Sequence, residues 1–282
     1  MPAEKHHVSG KEFSDPELIS LPDKPLVSIV TTVYNGEKYI EDTIQSVLSQ
    51  TYDKIEYIII DGGSTDRTVE IIRKYEDKIT YWISEPDKGM YDGLCKGFEI
   101  AHGEILAWLN ADDMYYPSAI QVVVEYFLKY PSLEWITGVG TFYDSRGLIT
   151  RVSIPTHYFR CLMSRGLYRD DLLGCIQQES TFWRRTLWDK AGGLNCNLKL
   201  AGDYELWVKF SQYAPIFQIP TILGGIRQHE LQKSCEIHKY NSECDHIRKR
   251  HLFCLWLLLV PLIKFSGVLV AIYKLHKGQE IL

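Results

Sequence analysis

Ile105-Leu106-Ala107-Trp108-Leu109-Asn110-Ala111-Asp112-Asp113 joins five apolar residues directly to an acidic pair. The apolar run has no helical period and reads as a buried strand. Two carboxylates at the end of such a strand repel one another and lose hydration, which is costly unless a cation sits there. Hard oxygen ligands suit Mg2+ or Mn2+, ions that also bind diphosphate oxygens. The plainer alternative is an acidic turn capping the next helix, and placement straight after a buried strand weakens it.

The same pattern recurs upstream. Residues 26–32 form a β-branched, apolar strand stopped by Tyr34-Asn35-Gly36. Tyr39, Ile40, Thr43, Ile44, Val47 and Leu48 then fall at helical spacing. Residues 55–60 give a second strand, closed by the tight turn Asp61-Gly62-Gly63, and Val69, Ile72 and Tyr75 mark a second helix. A short strand over 79–84 and a helix over 89–102 follow, the latter weakened by Gly93 and Gly97. After the acidic pair, Pro117 opens a helix that runs through Tyr130. Strands alternating with helices of about three turns predict an α/β fold, a mostly parallel sheet covered on both faces. Ligands bind such sheets at the carboxyl ends of the strands, so Asn35, Asp61 and Asp112 are expected at one edge. The second half is less regular. A strand over 135–142, a helix over 183–191 ending at Gly192-Gly193, and a helix over 204–213 opened by Gly202-Asp203 can be read, whereas 145–171 resists assignment.

The 282 residues carry a net charge of -5. A general nucleic-acid binder would show a basic face, so no nucleic-acid partner is expected, and any phosphate must be neutralised locally. The seven cysteines are odd in number and no pair has Cys-x-x-Cys spacing. That argues against a zinc site and a disulfide framework, and predicts thiols in a reducing compartment. Residues 1–24 are polar, lack an apolar core and read as a loose tail, not a secretory signal, which predicts a cytoplasmic catalytic part. Residues 252–273 are almost wholly apolar, interrupted by Pro261 and Lys264 and preceded by Arg248-Lys249-Arg250. The span is near the ~20 residues of a membrane helix, and the basic cluster suits the cytoplasmic face. Spanning, lying on the membrane surface and packing on the catalytic domain remain open, with membrane contact favoured. Three parts are expected: a tail over 1–24, a catalytic domain over 25–235 and a helical segment over 236–282.

Taken singly, other polar residues are ambiguous. Asp61 suits a nucleotide base or ribose, or simply its turn. Lys88 and Asp92 flank a loop that suits phosphate or sugar, or serves as a turn and cap. Asp203 suits a helix N-cap and a general base alike. Arg227 and His229 suit a diphosphate, or a surface loop. No Gly-x-Gly-x-x-Gly follows the first strand and no Gly-Lys-Ser/Thr is present, which argues against a dinucleotide oxidoreductase and a P-loop enzyme.

Together, Val30-Thr31-Thr32-Val33-Tyr34-Asn35-Gly36, Ser46-Val47-Leu48-Ser49-Gln50-Thr51, Ile60-Asp61-Gly62-Gly63-Ser64-Thr65-Asp66 and Leu109 to Asp113 resemble the family 2 glycosyltransferases, inverting enzymes of the GT-A fold. The resemblance implies that Thr32, Tyr34 and Glu37 lie near the nucleotide and Asp61 beside the base, with Lys88 and Asp92 also on the donor side. It places the metal on Asp112, with Asp113 beside it. Asp203 looks like the catalytic base, Gln178 and Glu179 like the acceptor-side loop, and Arg227 and His229 like a late loop that folds over the donor. The implied reaction moves a sugar from a nucleotide-diphosphate donor, expected to be a UDP-sugar, to a hydroxyl of a glycan or lipid-linked acceptor, with Mn2+ or Mg2+, as in cell-surface polysaccharide biosynthesis. Two departures stand out: Gly62 replaces a frequent second acidic residue, and Asn110 replaces the first acidic residue of the metal motif. The Gln-x-x-Arg-Trp motif of processive synthases is absent near Arg227. A sugar nucleotidyltransferase and a silent nucleotide-sugar-binding protein are the alternatives.

Overall fold

The computed structural model describes residues 21–169, 171–229 and 237–248. The first part runs β1 (Val27–Val33), α1 (Ile40–Leu48), β2 (Ile55–Asp61), α2 (Thr68–Arg73), β3 (Tyr81–Ser84), α3 (Met90–Ile100), β4 (Ile105–Trp108), β5 (Met114–Tyr115) and α4 (Ala119–Lys129). The second runs β6 (Trp135–Thr137), β7 (Thr141–Tyr143), β8 (Ile149–Val152), α5 (Arg160–Met163), a 3-10 turn at Gln178–Ser180, β9 (Thr181–Arg184), α6 (Arg185–Ala191), α7 (Gly202–Tyr213), β10 (Phe217–Gln218), β11 (Gly224–Arg227) and α8 (Ile237–Ile247).

Seven strands form the main sheet in the order β10-β6-β9-β4-β1-β2-β3. It is parallel except at β9, which runs antiparallel to both β4 and β6. A smaller sheet, β5-β11-β7-β8, stands beside the end of β4. Side-chain alternation along the strands explains the layering. Ile29, Ile59 and Ala107 face one way and pack against α1, α2 and α4 through Ile44, Ile72 and Phe127. Val30, Ile58 and Trp108 face the other way, against Leu94 and Phe98 of α3 and Trp207 and Phe210 of α7. Gly93 and Gly97, costly for an isolated helix, have a packing reason. A Cβ at Gly97 would collide with Val30, and one at Gly93 would stand 2.9 Å from the Thr32 methyl. The glycines let α3 settle onto β1.

Several expectations need correction. The helix expected from residue 183 starts at Arg185, because residues 181–184 form β9, every one of them buried. An aromatic-rich run wedged between two strands has no solvent face, so its periodicity carries no signal. The single strand expected over 135–142 is two, β6 and β7, in different sheets. The unassigned 145–171 holds β8 and α5. Cys95 and Cys196 form a disulfide, 101 residues apart in sequence, tying α3 to the loop before α7; the expectation of thiols throughout fails for this pair. Cys161 and Cys175 are exposed thiols and Cys244 is buried. The tail over 1–24 falls mostly outside the described residues, and the apolar stretch 252–273 falls wholly outside them. Among the described residues no helix is long and apolar enough to cross a membrane.

An aromatic cluster seats α7. Trp207 stacks on Trp135 at 5.5 Å and on Trp108 at 5.9 Å, and Phe210 meets Trp135 edge-on at 5.4 Å. Phe210 is fully buried. Phe210→Ala should therefore lower the free energy of unfolding by about 3–5 kcal/mol, as large-to-small core changes do. Urea denaturation checks this, and a loss below about 1 kcal/mol would show that the cluster does not anchor α7.

Candidate active site

The parallel register puts Val33 beside Asp61 and Val30 beside Trp108. The loops leaving β1, β2 and β4 therefore emerge together, as expected for Asn35, Asp61 and Asp112. The first two loops are laced to one another. Asn35 sits at φ 51°, in the left-handed region that asparagine tolerates. Its Oδ1 accepts the Thr65 N–H at 2.8 Å, and its own N–H donates to Ser64 Oγ at 2.7 Å. Glu37 and the Asp66–Arg67 segment exchange bonds: Glu37 N–H to Asp66 at 3.1 Å, Arg67 N–H to Glu37 at 3.0 Å. Asp61 is fully buried, and its carboxylate accepts from Gly63 N–H, Ser64 N–H, Ser64 Oγ and Ser84 Oγ. Asp61 thus builds the turn it was also expected to serve. Thr32 is nearly buried beneath Gly93, while Tyr34 is exposed at the rim. Asp92 accepts the Lys88 N–H at 3.1 Å, and the Lys88 carbonyl accepts from Lys199 Nζ at 2.8 Å.

The two carboxylates of the acidic pair do different things. Asp113 is buried; it accepts the Arg227 N–H at 2.9 Å and Asn110 Nδ2 at 3.0 Å. Burial, reinforced by the charges of Asp112 and Glu179, pushes its carboxyl well above the usual carboxylate range. Asp112 remains one-third exposed, and its Oδ2 lies 2.9 Å from His229 Nε2. The position expected to bind diphosphate, Arg227, is instead almost fully buried. Its guanidinium donates to the Asp112 carbonyl at 2.9 Å, to the Ser145 carbonyl at 3.1 Å and to Asp42 at 2.7 Å, and lies 4.6 Å over the Tyr39 ring. It braces the loop that carries Asp112. His229, two residues on along extended chain, points the same way as Arg227 and rests on the same tyrosine at 4.7 Å.

Across the site stand Gln178, Glu179 and Asp203. Gln178 Nε2 donates to the Trp108 carbonyl, at the end of β4. Glu179 is buried, and its Oε1, like Gln178 Oε1 and Asn110 Oδ1, has no hydrogen-bond partner. Burial, then the charges of Asp203 and Asp112, push the Glu179 carboxyl up to about 8. The charges of Asp203 and Asp112 both act on Glu179, whose neighbour Gln178 is bonded to the end of β4. Asp203 lies in the first turn of α7, where the helix dipole favours a carboxylate. Its N–H donates to the Tyr91 hydroxyl at 3.3 Å, and that hydroxyl lies 3.4 Å from Asp203 Oδ1 while donating to the Leu200 carbonyl at 2.9 Å. Gly202 makes this approach possible, since a Cβ there would strike the Tyr91 ring. Neither Tyr91, behind the polar loop over 85–89, nor Gly202, at a helix start, stood out in the sequence as a site residue.

An oxygen and an imidazole nitrogen 2.9 Å apart fit a divalent ion, because neighbouring ligands of an octahedral ion with bonds of about 2.1 Å lie about 3 Å apart. Among the described residues no three His, Cys, Asp or Glu side chains form a metal-holding group. Such a site must be completed by substrate oxygens and water, the usual habit of Mg2+ with phosphates.

The model of the family described as Glycosyl transferase family 2 matches residues 28–190. The chain belongs to this family. It is 33% identical over 224 residues to an uncharacterised glycosyltransferase of Rickettsia felis, covering 78% of this chain and 37% of that protein. A Haemophilus influenzae glycosyltransferase, also uncharacterised, is 26% identical over 272 residues, covering 92% of this chain and 83% of the relative. Against the Rickettsia relatives the chain spans between about a third and two thirds of their length. Among solved structures, S. aureus TarS 1–349 in complex with UDP-GlcNAc superposes with a TM-score of 0.62 at 15% identity, covering 79% of this chain and 66% of that one. The mannosyltransferase PcManGT of Pyrobaculum calidifontis, in complex with GDP-Man and Mn2+, gives 0.55 at 18% identity, covering 80% and 61%. These likenesses show the fold: a mixed α/β domain with a large, mostly parallel sheet flanked by helices. The protein is a glycosyltransferase by family.

The Glu179 carboxyl has a measurable consequence. Its folded-state value of about 8 exceeds the ordinary 4.5, so the folded protein keeps a proton that the unfolded chain releases. Stability should therefore fall as pH rises between those values. In metal-free protein, Glu179→Gln should flatten the decline in Tm from pH 5 to pH 8, leaving the slope due to Asp113, and raise Tm at pH 8. An unchanged pH–Tm curve would contradict the assigned environment.

Proposed function

We propose that this protein transfers a sugar from a nucleoside diphosphate to an acceptor hydroxyl in a single inverting displacement. The observation that carries the reading is the pairing of Asp112, just after β4, with His229, just after β11, at 2.9 Å, together with Asp203 at the start of α7, whose charge, like that of Asp112, acts on the buried Glu179. The complexes of TarS with UDP-GlcNAc and of PcManGT with GDP-Man and Mn2+ support a nucleotide-sugar donor, with a UDP-sugar the first to test.

Asp112 and His229 would hold a divalent ion, which when bound neutralises charge developing on the departing diphosphate. Thr32, Tyr34, Glu37, Asp61, Lys88 and Asp92 line the donor side, at the ends of β1 and β2, on the loops after β1 and β3 and in the first turn of α3. Asp113 and Arg227 hold the Asp112 loop in position. Asp203 takes the proton from the acceptor hydroxyl as that oxygen attacks the anomeric carbon, help typically worth ~10²–10⁴-fold. Tyr91 fixes the start of α7 and hence the aim of that carboxylate. Gln178 and Glu179 lie on the acceptor side, where a protonated Glu179 offers a hydrogen bond to a sugar hydroxyl without adding a further negative charge. We assign a glycan or lipid-linked acceptor, as in cell-surface polysaccharide assembly on the cytoplasmic side of a membrane.

Asp203→Asn should abolish transfer while leaving nucleotide affinity within about threefold; normal turnover by this variant would remove Asp203 from its role. Exhaustive chelation should stop transfer, and Mn2+ should restore it. Release of nucleoside diphosphate identifies a glycosyltransferase, release of pyrophosphate a nucleotidyltransferase, and neither a silent binding protein.

A further inference from the structure

The segment that resisted assignment presents an unusual surface. All residues from 148 to 157 are exposed, including the whole of β8. Leu148, Ile149, Val152, Ile154 and Phe159 are large apolar side chains, Ile154 at 79% exposure. An apolar edge strand left open is a liability unless something covers it. The backbone under these side chains is held in place. Ser153 N–H donates to the Gly140 carbonyl at 2.7 Å, Thr156 N–H to Gln218 Oε1, and Arg160 to the Ser211 and Gln212 carbonyls at the end of α7. The adjoining Tyr213 and Phe217 are exposed as well.

The charge of the segment is one-sided. From Ser145 to Arg169 the chain carries five arginines and a histidine and no carboxylate, within a protein of net charge -5. Arg169 is buried in ion pairs with Asp171 and Asp245, and Arg146 pairs with Asp144 just before the segment. Arg151, over the Phe142 ring, Arg160, bonded to backbone carbonyls, and Arg165, bonded to the Cys161 carbonyl, keep their charge beside the apolar side chains.

We infer that the face formed by β8 and the segment leading into α5 docks on an anionic lipid surface. Apolar side chains flanked by arginines are the composition of interfacial membrane contacts, and each basic side chain near an anionic bilayer strengthens binding about fivefold. Two other features agree. The Ser145 carbonyl at the root of the hairpin accepts from Arg227, so the apolar face begins beside Asp112 and Asp113 and brings the site to the bilayer. At the other end, Arg248 packs near Gly166, with its Cγ 3.6 Å from where a Cβ would stand. In the sequence, Lys249, Arg250 and the apolar stretch 252–273 follow directly. Rival occupants fit less well. A second copy apposed through the same face would set arginines against arginines, and the stretch 252–273 contains no carboxylate to meet them. The inference stands apart from the chemistry assigned to the site.

Hydrogen–deuterium exchange on the full chain tests it. Peptides covering 148–160 should become protected with vesicles of phosphatidylcholine and phosphatidylglycerol, and stay unprotected with phosphatidylcholine alone or at high salt. Ile154→Asp should weaken vesicle binding about tenfold or more with an unchanged Tm. Three results would overturn the inference: binding with no protection of 148–160; protection without vesicles that does not vary with protein concentration, as from the chain's own apolar stretch; and protection that rises with protein concentration, as from a second copy.

Discussion

The buried contact between Asp113 and Arg227 holds the rest of the site in place. Asp113 accepts the Arg227 N–H, and the Arg227 guanidinium reaches the Asp112 carbonyl, Asp42 on α1 and Ser145 on the β7–β8 hairpin. One side chain therefore joins β4, α1, β11 and the hairpin, residues separated by as many as 185 positions in sequence. Removing the Arg227 side chain would take the donor from the Asp112 and Ser145 carbonyls and from Asp42, and each buried acceptor left unsatisfied costs about 1–3 kcal/mol. Asp112 and His229 ride on this brace, one before Asp113 and the other two residues after Arg227. Their separation of 2.9 Å is a product of that framework and does not depend on a loop finding it by chance.

The same arrangement crowds negative charge. Burial and the charges of Asp112 and Glu179 raise the proton affinity of Asp113, and burial and the charges of Asp203 and Asp112 raise that of Glu179. Three responses are visible. Asp113 and Glu179 are pushed toward their neutral forms, Asp112 pairs with His229, and Asp203 sits at a helix start. In the proposed reaction a divalent ion would offset this charge, and would arrive most readily together with the donor diphosphate whose oxygens complete its ligand set.

Much of the first half was legible in sequence because its strands alternate cleanly and each ends at a polar turn. β1, β2 and β4 fall where their apolar runs put them, and Asn35, Asp61 and Asp112 emerge at one edge. Legibility failed where long-range packing overrides local pattern. Trp183 reads as the start of a helix, yet it lies in a strand inserted antiparallel between two distant partners. Which of two adjacent carboxylates points into solvent depends on Arg227, more than a hundred residues away. Arg227 itself reads as a phosphate ligand until its carbonyl and carboxylate partners are seen. The Cys95–Cys196 bond has no spacing signature, since it depends on α3 lying against the loop before α7. Unpartnered buried acceptors such as Glu179 Oε1 have no sequence signal at all.

In the proposed reaction Asp112 and His229 would hold the ion, while Asp113 is kept from it by the bond it accepts from the Arg227 N–H. Crystals grown with UDP and Mn2+ and measured at the manganese absorption edge test it directly. One anomalous peak is expected within about 2.2 Å of both Asp112 Oδ2 and His229 Nε2, with Asp113 still accepting the Arg227 N–H. A peak coordinated by Asp113, or one that leaves His229 out, would contradict it.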